Sequence, residues 1–155
     1  MKPYQFTTLW TLDFPLPQVW EIIKAGERYP QWWRAVVKSE ILEQGKPGGE
    51  GKIIRSLWKT ALPYTFTFDF KTTKVVDYQL LEGEAIGELE GLGRWTFREA
   101  DGKTIVQYEW QVQTNKAWMN AFAFLLKPLF QWNHDVVMRW GYEDLTAELR
   151  KRGEF

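Results

Sequence analysis

The sequence predicts an α+β chain: one strand, two short helices, six further strands and a long C-terminal helix. Three observations carry that reading. Apolar and polar residues alternate through most of the segments between Val36 and Thr114, the pattern of strands with one wet face. Clusters of Pro and Gly separate those segments, as turns require. After Thr114 the apolar spacing changes to that of an amphipathic helix.

Taken in order, YQFTTLWTLDF places Tyr4, Phe6, Trp10, Leu12 and Phe14 on one face, with Thr8 the exception. Pro15 and Pro17 end this strand, and PQVWEIIK forms a short helix with Val19, Trp20 and Ile23 on one side. Pro30 then precedes a helical turn carrying Trp32 and Trp33. VVKSEILEQ, the turn GKPGGEG and KIIRSLWKTAL follow as strand, turn and strand. In YTFTFDFKTTKVVDYQLL, Phe66, Phe68 and Phe70 oppose Thr65, Thr67, Asp69 and Lys71, with a bulge expected at Thr72–Lys74. Asp101-Gly102 closes a hairpin, whose second arm turns Val106, Tyr108, Trp110 and Val112 inward.

The stretch LEGEAIGELEGLGRW puts glutamates on its outer face, as solvation and edge protection, and mostly glycine on its inner face. Two readings stay open. The glycines let the sheet curl tightly, or they leave volume beneath it.

The C-terminal segment WMNAFAFLLKPLFQWNHDVVMRWGYEDL fails as a membrane span. Crossing needs about 20 consecutive apolar residues, and Asn120, Lys127, Gln131, Asn133, His134 and Asp135 interrupt it. One helix from Ala117 to Lys151 would run ~50 Å, so a break at Pro128 is expected. It would divide an apolar piece, Ala117–Lys127, from an amphipathic helix, Leu129–Lys151. The latter gathers Leu129, Phe130, Val136, Val137, Trp140 and Gly141 on one arc and an Asp135, Arg139, Glu143 ladder opposite.

Composition narrows the function. The 155 residues suit a single domain spanning 1–155, and 20 basic residues balance 20 acidic ones, without the basic excess of a nucleic-acid binder. With no Cys and one His, neither a sulfur nor a His-rich metal site is expected. No metal and no cofactor are expected. The N-terminus lacks a signal peptide's apolar run, so a cytoplasmic location is the expectation. Ten Trp, ten Phe and six Tyr call for a bulky core or an aromatic-walled cavity. GGEGKI lacks the spacing of a phosphate-binding loop.

The stretch PLPQVWEIIKAGERYPQWWRAV, with Pro, then Val-Trp, then Tyr-Pro-x-Trp-Trp, resembles the START/Bet v 1-like (SRPBCC) superfamily and its polyketide cyclase/dehydrase group. The turn PGGEG, the long helix and the length fit as well, so the resemblance covers essentially the whole chain. One departure is Lys24-Ala25-Gly26, where many members end the first helix with an acidic residue. The resemblance implies a helix-grip fold, in which a curved seven-stranded antiparallel sheet wraps a long C-terminal helix around an elongated cavity. It implies an apolar or amphipathic small-molecule ligand (a lipid, polyketide or aromatic metabolite) and no universal catalytic motif.

On that fold Phe66, Phe68, Phe70, Trp95, Phe97, Tyr108 and Trp110 are expected on the cavity wall or in ordinary core. Trp33 closes one end, and Val137 belongs to the helix arc facing the sheet. Asn133, mid-arc, needs a partner: a strand backbone group, a ligand or a cavity water. Tyr108, Asn133 and His134 are the weak candidates for catalysis. Three functions follow: a carrier or sensor of a hydrophobic molecule, a cyclase-type enzyme acting on a carbonyl, or an interaction module docking through 117–127. Monomer or homodimer and transient membrane contact stay open.

Overall fold

The computed structural model describes residues 4–114, 117, 121 and 123–153. The elements are β1 (Tyr4–Leu12), α1 (Leu16–Lys24), a 3-10 helix (Gly26–Gln31), β2 (Val36–Glu43), β3 (Ile53–Lys59), β4 (Thr65–Val76), β5 (Leu80–Gly87), β6 (Leu89–Ala100), β7 (Lys103–Thr114) and α2 (Ala123–Gly153). The seven strands form one antiparallel sheet in the order β1-β7-β6-β5-β4-β3-β2. Strands β1 and β2 are neighbours in sequence yet occupy opposite edges. The two short helices between them carry the chain across, and α2 lies on the inner face.

Local chemistry sets the joints. Asp101 and Gly102 both take left-handed φ, 53° and 77°, the two-residue turn whose twist matches a hairpin. The register slips between Thr72 and Lys74, where the bulge is expected. Two short helices are present, but the second begins before Pro30 and contains it. Tyr29 holds that turn in place by donating its hydroxyl hydrogen bond to the Ile23 carbonyl.

Pro128 does not divide the C-terminal helix: α2 runs through it without interruption. A proline inside a helix costs about 3 kcal/mol, but this one falls in the second turn of a 31-residue helix. The turns that follow bury Phe130, Asn133, Val137, Leu145 and Leu149 against the sheet and α1 side. That docking outweighs one lost hydrogen bond. The predicted polar ladder is also rearranged. Asp135 accepts from Gln131, and Glu143 pairs with Arg34 rather than Arg139. Leu129, predicted on the inner arc, is 41 % exposed.

Two apolar clusters fill the interior. One gathers Trp10, Trp20, Trp33, Leu145 and Leu149; the other gathers Tyr4, Phe66, Phe68, Trp110 and Phe130. Trp58 and Tyr108 touch both. Glycines allow the closest approaches. A Cβ on Gly93 would sit 2.9 Å from the Trp110 ring and 3.1 Å from Phe70, and one on Gly83 would sit 2.6 Å from Phe70. The inner glycine face is therefore filled by rings from neighbouring strands, a pairing that restores packing over a strand glycine. On α2, a Cβ at Gly141 would lie 2.7 Å from the Trp33 indole.

Candidate functional site

Between the two clusters, bounded by the sheet and α2, is a half-open cavity of about 200 Å³. Nine of the ten residues expected to bind a ligand line it. The alternation of β4 turns Phe66, Phe68 and Phe70 to its inner face, β6 supplies Trp95, and β7 supplies Tyr108 and Trp110. Trp33 reaches in from beyond the 3-10 helix, and α2 contributes Asn133 and Val137. Phe97 is the exception. It lies edge-on to Trp20, ring centroids 5.0 Å apart, within the α1 side of the core, because β6 has by then passed the cavity's end.

The walls are ring faces and edges. Trp95 and Tyr108 stack at 4.0 Å, Trp58 lies parallel to Phe68 at 6.2 Å, and Trp33 stands edge-on to Trp58 at 4.9 Å. Trp33 is fixed by a 3.2 Å hydrogen bond from its indole N–H to the Val137 carbonyl. Trp58, Tyr29 and Tyr64 also line the cavity and were not singled out from the sequence. For Trp58 the signal was present, since Ile54, Ser56 and Trp58 alternate inward along β3; Tyr29 sits in the short 3-10 helix and Tyr64 in the β3–β4 connection, both too short to show a period.

The polar candidates divide sharply. Asn133 is fully engaged: its Oδ1 accepts from the Ala61 and Leu62 N–H groups at 2.9 and 3.2 Å, and its Nδ2 donates to the Tyr64 hydroxyl at 2.8 Å. Its partners are thus loop backbone and a tyrosine, which pin the β3–β4 connection to α2. Burial pushes the Tyr64 phenol up to about 12, so it keeps its proton. His134 lies flat on Phe6, centroids 4.0 Å apart and planes within 10°. Both of its nitrogens are buried without a hydrogen-bond partner among the described residues, and Asp135 is 3.8 Å away, beyond hydrogen-bond range. Burial lowers its pKa to about 4 despite that carboxylate. The Tyr108 phenol is raised by burial and by neighbouring Tyr29. Lys24 and Lys52 stand at one end of the lining, already paired with Glu21 and Glu27. Among the described residues no three His, Cys, Asp or Glu side chains gather, and no helix is long and apolar enough to cross a membrane.

An antiparallel sheet gripping a long helix around an aromatic cavity defines the helix-grip class. The chain matches the family described as polyketide cyclase/dehydrase and lipid transport over residues 12–135, and it belongs to that family. No curated protein matches the chain. Among solved structures it is similar to a START superfamily protein from Mycobacterium smegmatis, with TM-score 0.77 and 11 % identity, covering 95 % of this chain and 97 % of that one. It is also similar to the Zhui aromatase/cyclase from Streptomyces sp. R1128, with TM-score 0.70 and 14 % identity, covering 98 % and 96 %. The chain spans only about half, 50 %, of the di-domain ARO/CYC BexL, with TM-score 0.68 and 15 % identity over 92 % of its own length. At these identities the likeness is one of fold.

Proposed function

We propose that residues 1–155 act as one domain that binds a hydrophobic or amphipathic small molecule in the cavity between the sheet and α2. The observation that carries this reading is the cavity itself. Protein interiors pack like organic crystals, with few voids larger than a water, yet this one keeps about 200 Å³ open amid large rings that line it. Family membership supports the same ligand class. The cyclase-type alternative needs Tyr108, Asn133 and His134 to work together on a carbonyl. Asn133 is committed to the β3–β4 loop and His134 is pressed against Phe6, which leaves Tyr108 without a proton-transfer partner. For the docking reading of segment 117–127, residues 118–120 and 122 lie outside the described residues; of the remainder, Leu125 is exposed.

Organic extraction of purified protein followed by mass spectrometry tests the proposal, with Phe68→Arg as control. A stoichiometric apolar compound in the wild type and not in the variant is expected. An empty wild-type extract, together with no binding of added apolar probes, would overturn it.

A further inference from the structure

We infer that the Glu27–Lys52 ion pair is a side-chain gate across one end of the cavity, and that a guest enters and leaves by parting it. This rests on the ligand-binding reading above and adds a route and its control.

That end lies between two layers. Lys24 and Gly26 bound it from the joint of α1 and the 3-10 helix, and Lys52, Ile54, Thr72 and Leu81 bound it from the sheet side. The Lys52 ammonium reaches across to the Glu27 carboxylate. Among the described residues no other hydrogen bond or ion pair joins residues 24–31 to the sheet. The chain is tight beside the pair, where a Cβ on Gly26 would lie 3.0 Å from Ile54 Cδ1. Closure there falls to two long side chains.

The frame around the pair is fixed, while the side chains can rotate. Gly51 N–H donates to the Thr72 carbonyl at 2.8 Å, and Thr72 N–H donates to the Lys52 carbonyl at 2.9 Å. These bonds tie the Lys52 backbone to β4. On the other side the Tyr29 hydroxyl fastens the 3-10 helix to the Ile23 carbonyl. Lys52 carries its charge on a flexible stem, so the ammonium can swing out with both backbones in place.

Burial sets the balance. The two side chains are 16 % and 27 % exposed. A fully exposed pair holds almost nothing shut, and a fully buried one cannot part without stranding a charge away from water. This pair lies between those limits: it closes the end, yet both heads reach water on opening. Lys24–Glu21, by contrast, is a half-exposed i,i+3 pair within α1 and bridges nothing.

Stopped-flow fluorescence of the intact chain with N-phenyl-1-naphthylamine, a neutral apolar probe, tests the gate. Glu27→Ala should raise the entry and escape rate constants together by about 10-fold and leave Kd within about twofold. The reversed pair, Glu27→Lys with Lys52→Glu, should bring both rates back towards wild type. Asp69→Asn, which breaks the Arg55 ion pair, should leave them unchanged. Sodium chloride at about 1 M should speed exchange in wild type more than in Glu27→Ala, because screening weakens the pair. A merely structural pair would lower the melting temperature and leave the rates alone. Should Glu27→Ala not fold, the reversed pair and the salt dependence of wild type decide the matter. Probe binding with rates that neither salt nor Glu27→Ala changes, or an equal acceleration by Asp69→Asn, overturns the gate and leaves the ligand-binding reading standing. No probe binding by wild type overturns both.

Discussion

Acidification will destabilise this protein through a single imidazole. His134 is the chain's one histidine, so its titration can be followed without assignment. In the folded state its pKa is lowered from 6.5 to about 4, because burial against Phe6 disfavours the charged ring more than Asp135 favours it. Unfolded, the ring titrates near 6.5. Between pH 6.5 and about 4 the unfolded chain therefore binds more proton than the folded one. Stability must fall as pH drops through that window. A fall from 6.5 to about 4 amounts to about 3 kcal/mol, most of it lost by pH 4.5. Urea denaturation at pH 7 and at pH 4.5, on wild type and on His134→Phe, isolates this contribution from that of the carboxylates. The variant keeps a ring on Phe6 but cannot take the proton, so its loss should be smaller by about 2–3 kcal/mol. An imidazole proton resonance titrating at 6.5 or above, or equal losses in the two proteins, would refute the reasoning.

Two further perturbations probe the contacts that hold α2 to the sheet. Gly141→Ala gains up to about 1 kcal/mol of helix propensity but drives a Cβ to 2.7 Å from a Trp33 indole that is 1 % exposed. Overpacking costs about 1–3 kcal/mol, so chemical denaturation should show a net loss, and a gain would mean that Trp33 is free to move. Asn133→Ala leaves the Ala61 and Leu62 N–H groups without their acceptor at about 1–3 kcal/mol. Faster amide exchange at residues 61 and 62 than at Ser56 should accompany that loss, and unchanged protection there would show that the clamp is dispensable.

Much of this was legible because strand chemistry is periodic. The alternation of β4 and β7 by itself puts Phe66, Phe68, Phe70, Tyr108 and Trp110 on one face. Asp101-Gly102 fixed its hairpin for the same local reason. Pro128 shows where local reasoning stops. Its helix penalty is real, but whether the helix survives is decided by the residues buried after it, at a distance in space no window of sequence reports. The inner glycines are similar. Their spacing showed that side chains were missing there, yet only the sheet register reveals that Phe70 and Trp110 fill the gap. Phe97 followed the right face but fell past the cavity's end, since alternation gives the side of a sheet and not the position along it. His134 was expected at a rim; its stacking on Phe6 depends on a contact between residues far apart in sequence.

The bonds that fasten α2 have a consequence for how the molecule comes together. Trp33 to Val137 joins residues 104 apart, the Arg34 N–H to Asp144 joins residues 110 apart, and Tyr142 to Thr11 joins residues 131 apart. Such distant pairings form late, because chain entropy must be lost before they can contribute. The hairpins of the sheet form sooner, and α2 is made after all seven strands as the chain leaves the ribosome. There is then an interval in which a sheet lined with tryptophan and phenylalanine faces water with nothing across it. That intermediate is the species most prone to self-association, and a small aromatic molecule present during refolding would shield the surface that α2 later covers.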